Sequence, residues 1–348
     1  MRDIHAMPLT MNSESDHHLP AVIAPAETNL APLTPLPSGA VIPTLIAAAG
    51  DSASWRYIDF FTANIRNPNT RRAYARACGT FFQWCDERGR TLGTIRPYDV
   101  SLYIETRQQT HSAPDVKQQL AAVRMLFDWL ITGQVLPHNP AAAVRGPKHV
   151  VKTGKTPVLD GQEWRKLLDS IPTETVRDLR DRALIATLTY SFARIGAAVK
   201  MKVEDLRPQG AGWRIQLHEK GGKQHAMPCH HALAEALRAY TDAAGIAEDR
   251  KGYLFRTARG HRGTELSEAP MGQPDAWRMI RRRAVAVGIH APIGNHTFRA
   301  TGITAYLANG GALEHAQEMA AHESPRTTKL YDRTKERLTQ DEVERIRL

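Results

Sequence analysis

The segment 296-HTFRATGITAYLANGGALEHAQEMAAHESPRTTKLYDR-333 carries the decisive pattern of this chain. Its apolar residues predict one helix over 298–309 and a second over 312–321, with Asn309-Gly310-Gly311 as the break between them. His296 and Arg299 stand three residues apart, so a helix start here puts both on one side. His322 lies nine residues before Tyr331. Singly, each has an ordinary explanation: an H-x-x-R pair is usually a surface pair, and a lone tyrosine usually packs a core or its rim. Two further residues turn them into a set. Arg194 lies in 189-TYSFARIGAAVKM-201, just beyond a strongly apolar helix expected from Asp178 to Ser191. Lys220 lies in 218-HEKGGKQHAMP-228, where alternation through Trp213, Ile215 and Leu217 resumes after Gly221-Gly222 as a β-hairpin.

Outward from these motifs, 348 residues suggest two folded domains and extra segments. Residues 1–45 are rich in proline, poor in aromatics and aperiodic, and read as a flexible tail. Order is expected from near Trp55, in a helical domain spanning 50–145. In it, 52-SASWRYIDFFTANI-65 has helical spacing. Asn69 or Thr70 is expected to cap a helix with Tyr74, Cys78, Phe81 and Cys85 on one face. Further helices are expected over Asp99–Arg107 and from Ala113-Pro114 to a stop at Gly133. Residues 146–157 (GPKHVVKTGKTP) form a basic linker. A second domain, 158–348, opens with Asp160 and Glu163 at a helix start. Helices around 231–243 and 274–287 follow the hairpin, so this domain is mainly helical with a small sheet.

The formal charge is +10, which favours an anionic partner such as nucleic acid. The exposed positions Arg66, Arg71, Arg72 and Arg76, together with Arg278, Arg281, Arg282 and Arg283 on one predicted helix, are candidate phosphate contacts or simply solvated faces. Three cysteines without a C-x-x-C argue against a disulfide framework or structural zinc and fit a reducing cytosol. Cys78 and Cys85 read as core, and Cys229-His230-His231 lacks a fourth ligand at finger spacing. The apolar stretch from Ala40 to Ala49 is short and broken by Pro43, so neither a signal peptide nor a membrane span is expected. No Walker A or dinucleotide fingerprint occurs.

Taken in order, Arg194, Lys220, His296, Arg299, His322 and Tyr331 resemble the tyrosine recombinase (phage integrase, Xer-like) family closely, over roughly residues 55–345. The resemblance implies a helical, SAM-like core-binding domain followed by an α+β catalytic domain of the DNA breaking-rejoining type. It implies site-specific recombination of double-stranded DNA through a 3′-phosphotyrosine and a Holliday junction, by a cytoplasmic homotetramer on two DNA sites. The terminal helix, with Leu338, Val343, Ile346 and Leu348, would dock on a neighbouring protomer or pack on its own domain. One departure stands out. The family commonly has Glu or Asp three residues after the first arginine, and here that position is Ala197. Glu204 and Asp205 are the nearby substitutes. A type IB topoisomerase-like relaxing enzyme and a DNA-binding accessory protein without catalysis are the alternatives.

Elementary chemistry assigns roles beside the resemblance. Attack on a phosphodiester builds charge on the non-bridging oxygens, and two guanidiniums, Arg194 and Arg299, can clamp them at any physiological pH. His322 adds a donor. The Tyr331 hydroxyl needs a base, and His296 is the candidate. Lys220 is the candidate acid for the leaving 5′-oxygen, with Lys223 as its rival and otherwise a DNA contact. Arginine supplies the charge, so no metal and no cofactor is expected.

Overall fold

The structure, a computed structural model, describes residues 41–149, 154–219, 222–260 and 265–332. The chain divides into two compact units, residues 1–150 and 151–348. The proposed terminal helix, most of the N-terminal tail and Lys220 lie outside the described residues.

The first unit is helical: α1 (Thr44–Ala47), α2 (Asp51–Asp59), α3 (Pro68–Asp86), α4 (Pro97–Thr110) and α5 (Ala113–Thr132), with a π-helical turn over Phe60–Asn64. Packing starts earlier than Trp55, because Leu45 and Ile46 of α1 are already buried in the core. The α3 cap is Asn67 rather than Asn69 or Thr70: its side chain accepts from the amides of those two residues at 2.9 and 3.2 Å. Pro68 explains this, since proline favours the first helical position and so moves the cap one residue before it. The core is built on aromatic rings meeting edge to face, with Phe81 5.1 Å from Tyr103 and 6.0 Å from Phe127. Cys78 and Cys85 are free and buried among these rings. Burial pushes both thiols up, Cys85 to about 12, which leaves them unreactive. Arg56 and Trp129 latch α2 to α5: the guanidinium lies 3.9 Å over the indole ring, and the indole N–H donates to the Arg56 carbonyl at 2.9 Å.

In the second unit, α6 (Gly161–Asp169) starts on a capping box. Asp160 accepts from the Gln162 and Glu163 amides at 2.8 Å, and Glu163 accepts from the Asp160 amide at 3.1 Å. Next comes α7 (Val176–Tyr190), the central helix. Its Leu184, Ile185 and Leu188 are fully buried, each contributing roughly 1.5–3 kcal/mol. The short α8 (Ile195–Ala198) follows. An antiparallel meander then runs β1 (Leu206–Gln209), β2 (Gly212–His218) and β3 (Gln224–Pro228). Ile215 pairs with Met227 and Leu217 with His225, which places Ile215, Leu217 and Met227 on the core face.

After α9 (His231–Ala244), a second hairpin, β4 (Arg256–Arg259) and β5 (Glu265–Pro270), precedes α10 (Gln273–Ala286). The chain then forms α11 (Asn295–Ala308), α12 (Leu313–Met319) and α13 (Pro325–Lys329). Both α9 and α11 pack on α7. The α7–α11 approach depends on Gly302, where a Cβ would fall 2.0 Å from the Thr189 carbonyl oxygen. His230 serves as the α9 cap, accepting from the Ala232 amide at 3.2 Å, and stacks on Tyr190 at 4.2 Å. Among the described residues no helix is long and apolar enough to cross a membrane.

Candidate active site

Arg299 lies in α11 and is 1% exposed. A guanidinium is normally too costly to bury unless its donors are satisfied. Here main-chain carbonyls satisfy it: Nη1 donates to Phe192 and Nη2 to Ala320, the latter at 2.6 Å. Both carbonyls belong to sharp turns. Phe192 has φ 52° and Ala321, directly after Ala320, has φ 47°. Left-handed backbone at a bulky residue is costly, on the order of 1–3 kcal/mol, and persists where the surroundings hold it. Burial and the neighbouring Arg194 push the Arg299 pKa down to about 10, so it remains charged at neutral pH.

Arg194 follows the same Phe192 turn and caps α8. Its side chain is 34% exposed, and Nη1 donates to Glu219 Oε2 at 2.6 Å. Glu219 ends the β2 side of the hairpin, directly before Lys220, and its amide donates to the Lys223 carbonyl at 2.8 Å. The nearby acids suggested by the sequence are engaged elsewhere. Glu204 takes Lys251 at 2.9 Å, while Asp205 accepts from the Lys202 amide at 2.8 Å and meets His218 at 3.2 Å.

Tyr331 stands just past α13, half-buried against Phe192, Ile303, Ala316 and Ala320. Backbone bonds hold its segment: Thr304 Oγ1 donates to the Tyr331 carbonyl at 3.1 Å, and the Gly154 amide to the Leu330 carbonyl at 3.2 Å. The phenol lies near enough to the Arg299 guanidinium to favour its charged form. The His322 ring stacks parallel to the Tyr331 ring, 5.8 Å between centroids, and its Nδ1 meets Thr328 Oγ1 at 2.9 Å. Burial, then Arg299 and Arg194, push the His322 pKa down to about 4. It is therefore neutral at pH 7, and the tautomer with its proton on Nε2 is the one in which Thr328 donates to Nδ1. His296, in the first turn of α11, is solvent-exposed, yet the surrounding protein and the two guanidiniums lower its pKa.

Tyr331, His322, Arg299, Arg194 and His296 thus fall in one neighbourhood, joined by the sequence-silent Glu219. Strand alternation is the signal that finds Glu219: Ile215 and Leu217 face inward on β2, and buried Glu219, one residue past the strand, continues the alternation. Lys223 is exposed and donates to Glu323 at 3.1 Å. Arg66, Arg72 and Arg76 are exposed, while Arg71 folds back on the Ile65 carbonyl at 2.9 Å. On α10, Arg278 pairs with Asp275 and Arg281 donates to the Ala291 carbonyl at 3.0 Å. Arg282 approaches Asp181 at 3.6 Å, and Arg283 binds Asp178 and Asp181. The α10 arginines are therefore not one solvated face: Arg283 turns inward to neutralise buried Asp181 and half-buried Asp178.

The phage integrase family matches residues 157–337, and the phage integrase N-terminal SAM-like domain matches residues 57–134. The tyrosine recombinase XerD of Listeria innocua serovar 6a is 30% identical over 271 residues, covering 76% of this chain and 87% of that protein. XerD of Chlorobaculum tepidum is 27% identical over 268 residues, covering 76% and 85%. Among solved structures, XerH recombinase bound to a palindromic difH substrate in a post-cleavage complex shares the fold with a TM-score of 0.63 at 17% identity, covering 85% of this chain and 83% of that one. A lambda integrase dimer bound to a COC′ core site gives 0.61 at 18% identity, covering 82% and 79%.

Proposed function

The chain belongs to the phage integrase family of tyrosine recombinases, and from that premise we propose that it breaks and rejoins duplex DNA with Tyr331 as nucleophile. The observation that supports this reading is the phenol of Tyr331 set against the Arg299 guanidinium with neutral His322 stacked beside it. The Tyr331 oxygen attacks the scissile phosphorus as His296, neutral at pH 7, takes its proton. The P–O bond to the 5′-oxygen breaks, Lys220 protonates that oxygen, and a 3′-phosphotyrosine remains. Arg194 and Arg299 neutralise the non-bridging oxygens, and His322 donates through Nε2. A 5′-hydroxyl from a second strand then attacks the phosphotyrosine, returns the proton to Tyr331 and restores the phosphodiester. The bond energy is conserved, so no ATP enters.

The assembly belongs to the same proposal. The first unit, as core-binding domain, grips DNA through Arg66, Arg71, Arg72 and Arg76; the second adds Lys223, Arg278, Arg281 and Arg282. Binding then falls steeply with salt. Four protomers on two sites exchange strands through a Holliday junction in the cytoplasm. A cavity of about 580 Å³ on the second unit, walled by Tyr190, Phe192, Met227, Ala305, Tyr306 and Met319, suits the apolar face of a partner's terminal helix. A nicked duplex spanning a junction mapped by sequencing tests the chemistry. Wild type should trap a covalent adduct on a denaturing gel and Tyr331→Phe none. Equal behaviour of the two removes Tyr331 as nucleophile.

A further inference from the structure

We infer that Glu219 is the positioning residue of Arg194, a carboxylate supplied by the β2–β3 hairpin where the family resemblance puts one at position 197. Ala197 is buried on α8 and its methyl group offers no acceptor. The carboxylate of Glu219 is 3% exposed, and its 2.6 Å contact with Arg194 Nη1 is a charge-assisted bond shielded from water. Its place follows from the strand. Alternation turns Ile215, Leu217 and Glu219 inward and His218 outward, and the Glu219-to-Lys223 backbone bond closes the turn. Glu204 and Asp205 are held by other partners, so Glu219 has no rival among the acids that the sequence suggests.

Charge balance points the same way. Arg194 is close enough to act on Arg299, and Glu219 acts on Arg299 with the opposite sign. Two cations and one carboxylate leave a single net positive charge, which matches the single negative charge of a phosphodiester. The pairing also ties two chemical roles to one loop. Glu219 directly precedes Lys220, so the hairpin that carries the proposed acid also aims the first arginine.

The inference rests on Tyr331 as nucleophile, and the test separates the two. Full-length wild type and Glu219→Gln are compared in single-turnover adduct formation on three versions of the mapped nicked duplex. One is the natural phosphodiester. The second has a methylphosphonate at the scissile position, which removes the charge that Arg194 must neutralise. The third has a bridging 5′-sulfur, whose easy departure removes the need for an acid. Glu219→Gln should be slower by roughly 10- to 100-fold on the phosphodiester, the range for losing a group that orients a functional one. The deficit should shrink to within about threefold on the methylphosphonate and persist with the 5′-sulfur. DNA affinity by fluorescence anisotropy should stay within about threefold, since the binding surface is untouched.

A deficit relieved by the 5′-sulfur alone assigns Glu219 to Lys220 and overturns the proposal. An equal deficit on all three substrates, or none on the phosphodiester, overturns it too. No adduct from wild type on any substrate instead sinks the nucleophile itself. Should Glu219→Gln fail to fold by circular dichroism, Glu219→Asp keeps the charge one methylene short, and the same three-substrate pattern decides.

Discussion

The two units bury different things. The first hides rings: Tyr57, Phe60, Phe61, Phe81, Phe82, Tyr103 and Phe127 are within a few percent of complete burial, with Asp99 its one buried ion among the described residues. The second hides ions: Arg180, Asp181, Asp205, Glu219, Arg256 and Arg299 are all under one tenth exposed. Apolar burial stabilises with no demand on geometry, whereas each buried ion needs a partner in place. Asp181, with no exposure at all, meets Arg180 at 2.7 Å, Arg283 at 2.9 Å and Arg282 at 3.6 Å. A unit built this way can hold charged groups ready for a phosphate, and it carries a standing liability wherever one partner is lost.

The largest effect that would break this contrast lies at the two guanidiniums. Arg194→Ala and Arg299→Ala should each reduce adduct formation by roughly a hundredfold or more, the scale of a lost oxyanion donor. DNA affinity measured in parallel should remain. Near-normal cleavage by either variant would make that arginine one more structural ion. Next comes a matched pair read by hydrogen exchange in peptides from each unit, because two units need not unfold together. Asp181→Ala takes from buried Arg180 its carboxylate partner and from Arg283 one of two, and should destabilise the second unit by about 3–5 kcal/mol. Phe127→Ala should cost the first unit about 3–5 kcal/mol through a cavity. Loss that spreads equally over both units in either variant would merge the two cores into one.

The smallest expected effect sharpens the contrast through pH. The folded pKa of His322, about 4, lies below its ordinary value of 6.5. The unfolded chain therefore takes up this proton first as pH falls. The second unit's stability is complete above pH 6.5 and declines down to about pH 4, by on the order of 3 kcal/mol from this group. His322→Gln should flatten that part of the decline in denaturation profiles. An unchanged slope between pH 6.5 and 4 would place the charged imidazole comfortably in the fold.

Much of this was legible in the chain itself, because the signals were local. The Asp160 capping box needs only residues three apart, and the H-x-x-R pair needs only a helix start, which α11 supplies at Asn295. The misses follow from partners far away in sequence. The acid of Arg194 lies 25 residues on, and Arg283 meets Asp178 across 105 residues. The β4–β5 hairpin escaped because Arg-Thr-Ala-Arg opposite Glu-Leu-Ser-Glu-Ala-Pro has no apolar alternation to read, and β1 because it is only four residues long. Lys220, read from sequence as the acid, lies outside the described residues and stays a proposal.

Arg299 hangs on the peptide groups of Phe192 and Ala320 and not on their side chains. An oxygen of the main chain is present whatever residue occupies the position. Substitution at 192 or 320 can therefore alter the wall of the pocket while the peg that holds the guanidinium stays put. This part of the tooling is thereby insulated from drift in the side chains around it.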